Sequence, residues 1–280
     1  MSSAAPSVTR GKKISPRLLR GFAPVSLVAI TLAIGALVAG SVPINPVYAV
    51  RAPFWLNETR GVGLLGTDSL GRDMLSRLLM GGAISVVISF LSTVLGLLLG
   101  TIAALLTVQA GPVVSWSTKR LMDLQLAIPF IILAMFVASV LPSSPALLVG
   151  LLALPAWVYA ARILRAALLE EVPKDYVVAA RAMGVGPVRL AVRYLVPAIG
   201  TTIAVVGGNL FASLVLLEAT LSFLGIGLAP PAPTLGGMIY EGREYMTMGW
   251  WISVFPGIVL MLIVGSIYAA VNAMEGGRND

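Results

Sequence analysis

The sequence contains no cysteine and no histidine. That removes disulfides, thiol nucleophiles, imidazole proton relays and the usual zinc and haem ligands. Charge is scarce too, at 11% of residues against 58% hydrophobic, where an ordinary soluble domain has roughly 25% charged. No phosphate-cradling loop of the form G-x-x-x-x-G-K-[ST] occurs, so the chain has no nucleotide-hydrolysing motif of its own. No segment is polar over more than a few tens of residues, too little to bury the core of a separate soluble domain.

In place of charge there are long apolar runs. No charged side chain falls between Arg20 and Arg51, Arg77 and Lys119, Asp123 and Arg162, Arg193 and Glu218, or Tyr245 and Met274. A hydrocarbon core about 30 Å thick takes roughly 20 apolar residues per helical crossing. Two of the runs are long enough for a pair of helices, divided at Gln109-Ala110-Gly111-Pro112 and at Leu141-Pro142-Ser143-Ser144-Pro145. The reading is an all-α membrane protein with six transmembrane helices, near 22–42, 82–108, 121–140, 146–167, 198–217 and 251–272. Residues 1–20 form a mobile tail, 21–274 the membrane domain with outer loops about 43–81 and 219–249 and an inner loop about 168–197, and 275–280 a short second tail. The first apolar run, with small residues at Val47-Tyr48-Ala49, exceeds the 7 to 15 residues of a typical signal peptide and is read as a retained span.

With both termini on one side, 14 of the 19 Lys and Arg share that side, and Arg51, Arg60, Arg72, Arg77 and Arg243 fall on the other. The positive-inside rule then places both termini in the cytoplasm. The net charge of +7 is therefore a topology signal, scattered along membrane edges, with no solvated basic face for nucleic acid.

Five local features complete the reading. The segment from Thr67 or Asp68 onward is expected to be a short interfacial helix, Leu70, Met74, Leu75, Leu78 and Leu79 apolar and Arg72, Asp73 and Arg77 wet. Trp250 and Trp251 mark a headgroup boundary. Asp123 is expected to pair locally with Lys119 and Arg120. Glu218, at the outer end of the fifth span, orders the outer loop or, with Ser222 and Phe223, forms part of an outer gate. Gly96, Gly100, Gly207 and Gly208 are assigned to close helix packing.

The inner loop between spans four and five reads as a helix too short to cross. Pro173 suits its first turn, Glu170 and Glu171 precede it, and Gly184, Gly186 and Pro187 stop it. Tyr176, Ala179, Ala180 and Met183 recur at helical spacing as one face fit for a groove on another protein. Ala179-Ala180, Gly184 and Leu195-Val196-Pro197 resemble the loop signature of ABC importer membrane subunits. Gly66-Thr67-Asp68 with Leu70-Gly71-Arg72-Asp73, the stretch from Glu218 to Gly227, Glu171 to Tyr176 and Gly242 to Tyr245 look like the C-type permease subunit of the dipeptide, oligopeptide and nickel importers.

The resemblance implies a type I importer permease, half of a translocation pathway in a bacterial inner membrane, whose loop helix at Tyr176, Ala179, Ala180, Met183 and Gly184 couples to an ATPase. Implied partners are a B-type permease subunit, two ATP-binding subunits that hold ATP and magnesium, and an extracytoplasmic substrate-binding protein; the chain itself carries no cofactor. Cargo stays open among dipeptides, oligopeptides, nickel and glutathione. Val178 stands where the general signature opens with an acid, which removes a salt bridge there, and the end after Asn272 is shorter than the family pattern. From other classes, an ion-gradient carrier would want titratable groups near the midplane, and a membrane hydrolase would have to use a Ser-Lys pair.

Overall fold

A computed structural model describes residues 50–53 and 64–276. The expected first span, 22–42, and the tails at 1–20 and 277–280 lie outside the described residues. The regular structure among the described residues is helical apart from one isolated bridge between Thr67 and Asp73.

Helix α1 (Met74–Gln109) is one unbroken rod of 36 residues, roughly 54 Å long. Asp73 caps it, its carboxylate accepting from Ser76 N at 2.8 Å. This replaces the expected separate interfacial helix: the cap is Asp73 rather than Thr67 or Asp68, and the run from Met74 joins the span without a break. No Gly-Pro pair or competing cap interrupts it.

The expected third span, 121–140, is instead a bent pair, α2 (Pro112–Ala127) and α3 (Phe130–Val140), which meet at 81°. Pro129 has no N–H to give the helix and forces the residue before it out of helical geometry, and Ile128 is extended at φ −95°, ψ 122°. Helix α4 (Pro145–Glu171) starts on a Ser144 cap that accepts from Leu147 N at 3.1 Å. Then follow α5 (Asp175–Ala182), α6 (Pro187–Leu190), a π-helical turn (Ala191–Leu195), α7 (Val196–Ala198), α8 (Gly200–Phe223), α9 (Leu235–Gly242) and α10 (Trp251–Gly276). Among the described residues, α1, α4, α8 and α10 are each long and apolar enough to cross a bilayer, and the bent pair makes a fifth crossing if it counts as one.

Small residues decide the packing. A Cβ on Gly100 would come within 2.5 Å of Ala160 Cβ and 2.8 Å of the Trp157 carbonyl oxygen, and Gly96 lies as close against Ala156. Backbones this near gain dispersion contacts that larger side chains would prevent. Because Gly96 meets Ala156 and Gly100 meets Ala160, α1 and α4 run parallel. Helix α8 is antiparallel to them: Gly207 faces Leu97 at 2.8 Å, and Phe90 meets Phe211 edge to face at 5.9 Å. Gly208 packs on Val271 of α10. The bundle therefore has one end holding the start of α1 and the close of α8, and an opposite end holding α5.

Candidate functional site

At the α5 end, a turn of Val172, Pro173 and Lys174 separates α4 from α5, and Pro173 stands outside the helix. The helix opens at Asp175, whose charge suits its N-terminal dipole. Glu171, the last residue of α4, accepts from Lys174 Nζ and from Tyr176 Oη, each at 2.6 Å. The hydrogen bond to that carboxylate stabilises the neutral phenol and pushes the Tyr176 pKa up to about 12.

The helix closes on a Schellman arrangement: Gly184 N donates to Arg181 O at 2.9 Å and Val185 N to Ala180 O at 3.1 Å. Gly184 sits at φ +77° with no atom within 4 Å of where a Cβ would stand. Glycine is required there for its backbone angle, not for lack of space within this chain.

The inner face of α5 is Val177 and Ala180, both fully buried in the core that also holds Leu164 and Leu168 of α4, Leu190 of α6 and Leu195 of the π turn. Tyr176, Ala179 and Met183 face outward, with Met183 74% exposed. Ala180 therefore departs from the expected outward face. On the helical wheel it lies between Tyr176 and Val177, and burying the apolar Val177 turns Ala180 inward with it. The π turn ends next to Pro197, whose ring excludes the carbonyl four residues back, and the wider turn relieves that crowding.

The opposite end holds a cluster of four charges. Asp68 is fully buried; its Oδ1 accepts from Leu70 N at 2.8 Å and Arg72 N at 2.9 Å, and its Oδ2 from Arg72 Nε at 2.6 Å and from Arg77. Arg77 also grips Glu241 with both terminal nitrogens, at 2.8 and 3.2 Å, and Arg72 reaches the same carboxylate at 3.3 Å. Arg72 and Arg77 were expected on a wet face and are instead 7% and 3% exposed. Each charge has opposite partners within the cluster, those of Asp68 local and those of Glu241 from across the fold, which makes burial tolerable. Glu241, 164 residues from Arg77, was missed; no sequence spacing announces so distant a partner. Trp251 was expected at the lipid boundary, but it is 4% exposed and its indole donates to Thr67 O at 3.1 Å.

Glu218 is fully buried within α8, and Ser222 Oγ donates to its Oε1 at 2.7 Å. Its Oε2, together with Ser85 Oγ and Ser89 Oγ of α1, is buried without a hydrogen-bond partner among the described residues. Phe223 is separate from that pair, on the surface and edge to face with Tyr240 of α9 at 6.0 Å. Asp123 pairs across helices with Arg162 at 2.9 Å, both exposed, rather than with its neighbours Lys119 and Arg120. The same two helices are joined one turn away, where Trp157 Nε1 donates to Gln125 Oε1 at 2.7 Å.

Comparison with known proteins connects these features. A family model described as the binding-protein-dependent transport system inner membrane component matches residues 96–275. The chain is 36% identical over 242 residues to the di/tripeptide transport system permease protein DppC of Pseudomonas aeruginosa, covering 83% of this chain and 76% of that protein. It is 34% identical over 261 residues to the dipeptide transport system permease protein DppC of Escherichia coli K12, covering 90% and 85%. Among solved structures, the inward facing MetNI methionine ABC transporter aligns with a TM-score of 0.56 at 22% identity, over 72% of this chain and 97% of that one, which is a likeness of fold.

Proposed function

Since the chain belongs to the family of binding-protein-dependent transport system inner membrane components, we propose that it is one of two permease subunits of an ATP-driven importer of short peptides. The relatives named for di- and tripeptide and dipeptide transport support that cargo. The partners in this reading are a B-type permease subunit, two ATP-binding subunits that hold the ATP and magnesium, and a substrate-binding protein on the outer face. The setting is a bacterial inner membrane with both termini in the cytoplasm.

The observation that carries the reading is the two-sided construction of α5. Its Tyr176, Ala179 and Met183 face is exposed, while Val177 and Ala180 share a core with α4 and with the residues leading into α8. A partner that closes on the exposed face moves the buried face with it. Packed cores shift between discrete arrangements rather than deforming smoothly, so the displacement passes to α4 and α8. ATP-driven closure of the partners then alternates the pathway between inward and outward facing. At the outer end, Glu218, Ser222 and Phe223 order the surface that seals the pathway.

Met183→Cys, in a chain with no other cysteine, should cross-link to an ATP-binding subunit in the purified assembly. A complex that forms without any ATP-hydrolysing subunit would remove the reading. Glu218→Gln should slow transport while leaving basal ATP hydrolysis in place; transport at the wild-type rate would take Glu218 out of the gate.

A further inference from the structure

Four of the seven polar residues of α8 share one line, while Thr201, Glu218 and Ser222 lie off it. Thr202, Asn209, Ser213 and Thr220 are spaced by seven, four and seven, which at 3.6 residues per turn sets all of them within roughly 20° of one line along the helix. The line covers about 27 Å, most of a bilayer core. Ser213 and Thr220 are exposed and Thr202 and Asn209 half-buried, whereas Val215 and Ala219 on the back of the helix are buried. Ser213 and Thr220 donate their hydroxyls back to Asn209 O at 2.9 Å and Leu216 O at 2.8 Å, but a carboxamide on the same line is costly to turn toward hydrocarbon, which favours water on this face.

Two cavities follow the same line and share Tyr159 of α4. One, of about 550 Å³, is lined by Tyr159, Thr202, Asn209 and Glu275 among others, at the end of the bundle near α5. The second, of about 210 Å³, continues along α8 past Ser213 to Leu217. The first is large enough for a small solute, within the usual range for ligand clefts.

We propose that this stripe and its cavities are the wall along which a short peptide passes, with Glu275 receiving the peptide's ammonium end at the inner mouth. The lining matches that class of solute. Hydroxyls and a carboxamide exchange hydrogen bonds with peptide amides without regard to side chain, and one carboxylate suits one ammonium. The same wall offers a divalent cation a single carboxylate and neither imidazole nor thiol, too few ligands to hold it. The assignment rests on the importer reading above and adds the residues that touch the cargo.

The test uses the complete importer in proteoliposomes, its other subunits freed of cysteine. Asn209→Cys and Ser213→Cys should react with a charged, water-soluble thiosulfonate, lose dipeptide transport on modification, and be shielded by excess dipeptide. Ala204→Cys, exposed on the far side of α8, should react slowly and without shielding. In the Asn209→Cys background, Glu275→Gln should raise the dipeptide concentration needed for half-shielding about tenfold, the loss of one charge-assisted contact. Reactivity and shielding are scored on the assembled complex, so a variant with poor turnover still reports. Asn209→Cys and Ser213→Cys as unreactive as Ala204→Cys, in an importer whose wild type moves dipeptide, would overturn the wall and leave the importer reading intact. A wild-type assembly that moves no peptide would overturn both.

Discussion

Arg77 ties together the two segments that meet in the charge cluster. It joins Asp68, in the segment before α1, to Glu241, in α9, and both carboxylates depend on it for charge balance. Arg77→Ala leaves a fully buried Asp68 with Arg72 alone, and the expected loss is about 3 kcal/mol in a reversible unfolding measurement. Arg77→Lys should recover little of it, since an ammonium cannot form the paired contacts of a guanidinium.

Tyr176 gives a second, milder prediction. Its phenol titrates near 12 instead of the ordinary 10.0 because it donates to Glu171. The folded chain keeps that proton longer than the unfolded one does. The contribution to stability is therefore whole below pH 10.0 and fades as pH rises toward about 12. Subtracting the ultraviolet titration of Tyr176→Phe from that of the wild type should isolate one phenolate with a midpoint near 12; a midpoint at 10.0 would mean the bond to Glu171 is not made in solution.

Among the helices, glycine does two different jobs. Gly100 is a matter of space: Gly100→Leu would drive its side chain into Ala160 and the Trp157 carbonyl, so α1 and α4 must separate, and the folded fraction in detergent should fall sharply. Gly184 is a matter of backbone angle, at φ +77° with open space around it. Gly184→Asn, which tolerates that angle, should keep the ratio of transport to ATP hydrolysed close to wild type. Gly184→Val, strained there by about 1–2 kcal/mol or more, should lower it. Equal ratios for the two variants would show that the closing turn of α5 plays no part in coupling.

For the molecule as a whole, the parallel course of α1 and α4 puts α5 and the charge cluster at opposite ends. In intact cells a thiol at Ala182→Cys should stay hidden from a membrane-impermeant label, and one at Glu244→Cys, beside the charge cluster, should react. The reverse pattern would invert the topology and withdraw α5 from any cytoplasmic partner.

The long runs between Arg77 and Lys119, Arg193 and Glu218, and Tyr245 and Met274 announce helices because a backbone in hydrocarbon has no other way to satisfy its own polar groups. The loop helix is as legible, since its stop at Gly184, Gly186 and Pro187 follows from local backbone preference. Which faces meet is another matter. The inward turn of Ala180, the reach of Arg77 to Glu241 and the pairing of Asp123 with Arg162 all depend on where distant helices settle, and a one-dimensional pattern carries no record of that. Periodicity fixes which residues share a side of a helix, but packing chooses which side is covered.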